Sequence, residues 1–147
     1  MIEVKDINKS FGENDVLKGI SAKFESGITN LIIGGSGSGK TTLLKCMIGL
    51  HHPEQGHVYY DGREFTQLNF EERIEIRKEI GMLFQGSALF DSMTVEENIM
   101  FPLNMFTEQS KAEKLDRVNF CLERVNLPGK NKLFPAELSG GMKKRVG

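Results

Sequence analysis

The residues best suited to chemistry stand in one short stretch, Gly34-Gly35-Ser36-Gly37-Ser38-Gly39-Lys40-Thr41, followed by a second threonine, Thr42. Every fixed position of the pattern G-x-x-x-x-G-K-[ST] is filled. Glycines let successive backbone N–H groups turn inward around a phosphate, and a helix starting near Lys40 would aim its positive end at the same oxygens. Lys40 adds a full charge for β and γ phosphates, Thr41 offers a hydroxyl to Mg²⁺, and Thr42 can reach an α phosphate. The stretch therefore predicts binding of a nucleoside triphosphate with Mg²⁺. Its bland alternative is a Gly/Ser-rich turn, and a GTPase, a kinase or a helicase could begin in the same way. Far downstream, Leu138-Ser139-Gly140-Gly141-Met142 opens into Lys143-Lys144-Arg145, a second Ser-Gly corner ahead of a basic, helix-ready run.

Elements that would position the first stretch surround it. Asn30-Leu31-Ile32-Ile33 is a nearly continuous apolar run bounded by glycines, the pattern of a strand buried on both faces. Thr42 to Leu50 reads as a helix, with an apolar face from Leu43, Leu44, Met47, Ile48 and Leu50, ended by Gly49 and Pro53. Upstream, alternation over Ile2 to Val4 and Ile7, a turn at Gly12-Glu13-Asn14-Asp15 and a run from Val16 to Phe24 predict an antiparallel hairpin. Downstream, His57 to Tyr60 reads as a strand before Asp61-Gly62, and Ile80 to Phe84 as a second buried strand. Asn69 with Glu72, Thr94 with Glu97 and Ser110 with Glu113 each have capping-box spacing. The last opens a helix whose Leu115, Val118, Leu122 and Val125 share a stripe. An α/β fold follows, with an antiparallel β part and phosphate-binding core over 1–84 that includes an incomplete parallel core sheet, and a mainly helical part over 85–147.

With 147 residues, a single domain is the ceiling. A net charge of -1 gives no general pull toward nucleic acid or anionic lipid, so no nucleic-acid partner is expected and anion binding must be local. Cys46 and Cys121 lie far apart without metal spacing and read as packed thiols in a reducing compartment. His51, His52 and His57 lack a carboxylate pattern and read as surface residues around a turn. Neither a targeting segment nor an apolar run of membrane length stands out, and the expected location is cytoplasmic.

Other residues sharpen the assignment. Phe11, in KSFG, precedes Lys40 with Val16 between them; alone, it would be hairpin core. Gln85 directly follows the run Ile80 to Phe84; alone, it would be a loop residue. With the phosphate loop and LSGGM, these positions resemble the ATP-binding cassette (ABC) ATPase family over nearly the whole chain. The resemblance implies that Phe11 stacks on adenine with Val16 beneath it, and that Gln85 reaches both Mg²⁺ and the attacking water. It implies a head-to-tail dimer, in which Ser139, Gly140, Gly141 and Met142 of one protomer cap the ATP held by the other. QGSALFDSMTVEENIMFPL with PAELSGGMKKRVG further resembles the ATPases of the Mla and toluene-tolerance lipid importers. That likeness implies a transmembrane permease docking near Gln85 to Thr94, a phospholipid-like cargo and a place on the inner membrane face. Non-transport ABC proteins of DNA repair or translation, and a short regulatory ATP-binding module, are the alternatives. Near-neutral charge and the Gln85 to Pro102 stretch argue against the repair and translation class.

In that family, hydrolysis uses elements beyond the signature: an apolar strand ending in Asp-Glu, a loop opening with Asp, and a switch histidine. The nearest imitation is Ala88-Leu89-Phe90-Asp91, which is short and lacks the adjacent Glu. The expectation is a single ABC ATPase domain over 1–147, C-terminally truncated, without a catalytic base and inactive alone. Missing sheet strands would leave apolar surface and strand edges exposed.

Overall fold

A computed structural model describes all residues, 1–147. The chain divides into two compact units, Met1–Gly81 and Met82–Gly147.

The first unit is built on strands β1 (Ile2–Phe11), β2 (Asn14–Phe24), β3 (Gln55–Tyr60) and β4 (Arg63–Glu64), in the order β2-β1-β3-β4. All pairings are antiparallel, with Ile2 opposite Phe24 on one side of β1 and opposite Tyr60 on the other. Val4, Ile7, Leu17 and Val58 are buried in one core; Val4 and Ile7 lie an odd number of residues apart, and the irregularity between them, with Asp6 at φ +49°, returns Ile7 to the buried face. Helix α1 (Lys40–Met47) covers it with Leu43, Cys46 and Met47, and helix α2 (Phe70–Lys78) adds Ile76. Asn69 and Glu72 form the expected capping box at the start of α2.

The C-terminal end of α1 is held from two directions. Arg77, on α2, donates to the carbonyls of Ile48 at 3.2 Å and Gly49 at 2.8 Å, and the Tyr60 hydroxyl donates to the Met47 carbonyl at 2.8 Å. A cation at those carbonyls also opposes the negative end of the helix dipole. Gly49 sits at φ +72°, where a Cβ would fall 2.7 Å from the Phe65 ring, so the turn leaving α1 requires glycine.

The second unit contains α3 (Val95–Phe106), α4 (Lys111–Arg124), a 3₁₀ turn (Pro135–Glu137) and α5 (Gly140–Val146). Thr94 with Glu97 and Ser110 with Glu113 are capping boxes, as their spacing predicts. The predicted stripe on α4 is the packed one: Val118 and Leu122 are buried, with Leu115 and Val125 at the margin of a core that includes Val95, Leu127 and Leu138.

Four expectations are corrected. Asn30 to Ile33 forms no strand; Leu31 and Ile33 are 77% and 84% exposed, and only Ile32 packs on the first core. Ile80 to Phe84 likewise makes no ladder, and Leu83 is exposed. A strand buried on both faces exists only between neighbours that pair with both its edges; the sheet contains no parallel pair, so the apolar runs stand without that environment. His57, thirdly, does have a carboxylate partner: its Nδ1 lies 2.5 Å from Glu64 Oε1, brought close by the turn joining β3 to β4. The helix after the phosphate loop also begins earlier than Thr42, at Lys40, and ends at Met47.

Candidate functional site

The Gly-Ser loop enters α1 through Gly39, which is buried and has φ +88°. A Cβ there would lie 2.8 Å from Leu17 Cδ2 and 3.1 Å from the Val16 carbonyl, so the loop rests directly on β2 and only glycine fits. Gly37, at φ +78°, supplies the other left-handed step. The first helical bond runs from Leu43 N–H to the Gly39 carbonyl at 2.8 Å, so the preceding N–H groups have no acceptor within the helix. Lys40 Nζ folds back over the loop and donates to the carbonyls of Gly34 at 2.9 Å and Gly35 at 2.6 Å. Two of its three protons are thus directed at the loop, and the charge stays at the cradle.

Phe11, Val16, Gly37, Ser38, Gly39, Lys40, Thr41 and Thr42 line one cleft of about 290 Å³. The structure therefore gathers the predicted base and phosphate residues in one place. Gly34 and Gly35 take part through their bonds to Lys40, and Ser36 is exposed on the loop. The lining offers an ammonium, three hydroxyls and the free N–H groups of a helix start, with no carboxylate, a donor set suited to a polyanion. Phe11, at the end of β1, is 47% exposed. For Mg²⁺ the cleft offers the Thr41 hydroxyl, and no group of three His, Cys, Asp or Glu gathers in the chain. A hard cation would draw its remaining oxygens mostly from phosphate and water, in keeping with the sparse protein ligation of Mg²⁺.

In the second unit, Gln85 is exposed in a turn just before Ser87 and Ala88, which both have positive φ. The following segment is fastened by a residue that sequence reasoning missed. Asn98 Nδ2 donates to the carbonyls of Phe90, Met93 and Thr94, and its Oδ1 accepts the Phe90 N–H at 2.8 Å. Ser139 caps α5, its Oγ accepting the Met142 N–H at 3.3 Å. Gly140 and Gly141 are exposed, and a Cβ on either would meet nothing within 4 Å. Met142 turns inward onto the second core, and Arg145 donates to the Val125 carbonyl at 2.9 Å. Lys144 is exposed.

The ABC transporter family profile matches residues 17–147. A probable ribonucleotide transport ATP-binding protein of Mycobacterium leprae is 41% identical over 99% of this chain and 42% of its own length. The chloroplastic protein trigalactosyldiacylglycerol 3 of Arabidopsis thaliana is 44% identical over 99% of this chain and 42% of its own length. A methionine import ATP-binding protein of Brucella abortus is 41% identical over 100% of this chain and 40% of its own length. The chain thus spans about two fifths of the length of these curated relatives. Among solved structures, a bacterial ABC transporter cassette in dimeric form superimposes with a TM-score of 0.90 at 33% identity, covering 99% of this chain and 66% of that one. A dimeric ATP-binding cassette in a post-hydrolysis state with ADP and Pi gives 0.89 at 32% identity, with the same coverage.

Proposed function

The chain belongs to the ABC transporter family and has the α/β fold of its ATPase cassettes, and from that premise we propose that it is the nucleotide-binding part of a transport ATPase. Phe11 and Val16 take the adenine, the loop from Gly34 to Thr41 with Thr42 takes the triphosphate, and Thr41 serves Mg²⁺. The observation that carries this reading is the single carboxylate-free cleft joining Phe11 to the helix start at Lys40. Ser139 to Met142 act on the nucleotide of a second protomer, a role supported by two glycines that meet nothing in their own unit.

The segment from Gln85 to Thr94, fastened by Asn98, receives a transmembrane permease, and the chain reaches the membrane through that partner. No helix is itself long and apolar enough to cross a membrane. The cargo is a phospholipid or related lipid, as the likeness to the Mla and toluene-tolerance group suggests; the relatives' names span a ribonucleotide, methionine and trigalactosyldiacylglycerol. Copurification with a permease, followed by extraction of bound lipid, tests this assignment, and a permease carrying a water-soluble cargo refutes it.

The 147 residues contain no apolar run ending in Asp-Glu, the pattern that the family resemblance associates with the carboxylate base. The chain alone is expected to bind ATP without turning it over. Calorimetric titration should show Lys40→Ala weakening ATP about 10- to 100-fold, the range for losing charge-assisted hydrogen bonds. Unchanged affinity refutes the site, and phosphate release above background that disappears in Lys40→Ala refutes the missing base.

A further inference from the structure

We infer that Lys9, locked in place by Glu54, is the positioning residue that decides which face of Phe11 receives the base. The inference rests on the reading of Phe11 as the base contact. Two groups touch that ring. His51 meets it edge-on, with centroids 5.2 Å apart and planes at 74°, and the Lys9 ammonium stands over it at 5.3 Å from the centroid. That separation lies within the range where a cation is drawn to the negative face of an aromatic ring.

Lys9 is not a free surface lysine. Its side chain is only 14% exposed and its ammonium pairs with Glu54 Oε1. Glu54 is itself fixed by β1: its Oε2 accepts the Ser10 N–H at 2.9 Å, and its own N–H donates to the Asn8 carbonyl at 3.0 Å. The strand therefore clamps the carboxylate, the carboxylate clamps the ammonium, and the ammonium occupies one side of the ring. A planar ring has two faces, so a base can stack only on the other. Fixing the ring in advance also removes part of the ordering cost that binding would otherwise carry.

The pair of opposite charges matters for what this device does not do. Glu54 offsets the charge of Lys9, so the pair exerts little net pull on a triphosphate. Its effect falls on the base.

Inorganic tripolyphosphate carries the phosphate chain without a base, so its affinity beside that of ATP separates the two roles. Lys9→Met should weaken ATP about two- to fivefold, the range for an exposed cation–π contact, and leave tripolyphosphate unchanged. Lys9→Arg should restore ATP binding, and Glu54→Gln should fall between. Equal weakening of both ligands by Lys9→Met makes Lys9 a phosphate attractor and overturns the inference. So does an unchanged ATP affinity in Lys9→Met when Phe11→Ala still weakens ATP. If Phe11→Ala leaves ATP affinity unchanged, the base contact itself is refuted, which is a distinct failure. The chain has no tryptophan, so Phe11→Trp creates a lone tryptophan that can be excited apart from the two tyrosines. Its nucleotide-free emission should shift when Lys9→Met or Glu54→Gln is added, and identical spectra count against the clamp.

Discussion

Two Ser-Gly corners open helices in this molecule, one in each unit, and they use glycine for opposite reasons. At Gly39 the residue is forced by its own surroundings: a left-handed φ and a Cβ position already filled by Leu17 and Val16. At Gly140 and Gly141 the backbone is helical and the Cβ positions are open. Glycine in a helix is unfavourable by about 0.5–1 kcal/mol relative to alanine, so this second corner gives up local stability with no return inside its own unit. A residue that its own fold does not need is explained by something outside that fold. The contrast separates a corner whose glycine intrachain packing requires from one whose glycines nothing in their own unit requires, the arrangement expected under the proposed head-to-tail dimer.

The widest gap between the corners should come from the same substitution made at each. Gly39→Ala combines a left-handed alanine with a collision at β2 and is expected to destabilise the chain by about 2–4 kcal/mol and to abolish triphosphate binding. Gly141→Ala is expected to leave stability unchanged or raise it by about 0.5 kcal/mol, while nucleotide-dependent dimerisation is lost. Urea denaturation reads the first effect and size-exclusion chromatography with ATP the second. Equal destabilisation by the two alanines would erase the distinction.

An intermediate effect is expected at the two arginines that anchor the helices behind these corners. Arg77→Ala removes a partly buried cation from the carbonyls ending α1 and should cost about 1.5–3 kcal/mol. Arg145→Ala removes an exposed donor from the Val125 carbonyl and should cost about 1 kcal/mol or less. Thermal unfolding of the two variants gives the order, and a larger loss at Arg145 would mean that α5 is braced as firmly as α1.

What sequence could reveal follows the range of the interactions. Three capping boxes were legible because donor and acceptor lie three residues apart, and the phosphate loop because its glycines, lysine and threonine are contiguous. Arg77 binds carbonyls 28 and 29 residues away, and Lys9 is clamped by a carboxylate 45 residues on. No local pattern announces such partners. Asn98 was hidden differently: its partners are near in sequence, but a side-chain amide gathering three main-chain carbonyls has no composition signature. The runs at 30–33 and 80–84 failed for a third reason. Apolar content states what surroundings a segment favours, whereas a strand forms only if another strand pairs with it.

The smallest expected difference lies in how acid and salt act on the two units. In the second, hydrogen bonds from Thr94 hold the Glu97 carboxyl below its ordinary value of 4.5, and those from Ser110 do the same for Glu113. In the first, the groups held low are mainly paired with cations: Glu3 with Lys23, Glu54 with Lys9 and Glu79 with Arg63. A carboxyl with a depressed folded pKa contributes stability that is present above its unfolded value and is lost as pH falls through the folded one. Both units should therefore loosen below about pH 4.5, and amide protection factors, which allow for the slower intrinsic exchange in acid, should fall together in β1 and in α3. Salt separates them, because at about 1 M the screening length is near 3 Å and exposed ion pairs are largely shielded, while a carboxylate bonded to neutral N–H and O–H groups is affected less. Raising salt should flatten the acid response of β1 and leave that of α3 nearly unchanged. If both flatten alike, the capping boxes draw on long-range charge rather than on the local bonds seen at Thr94 and Ser110.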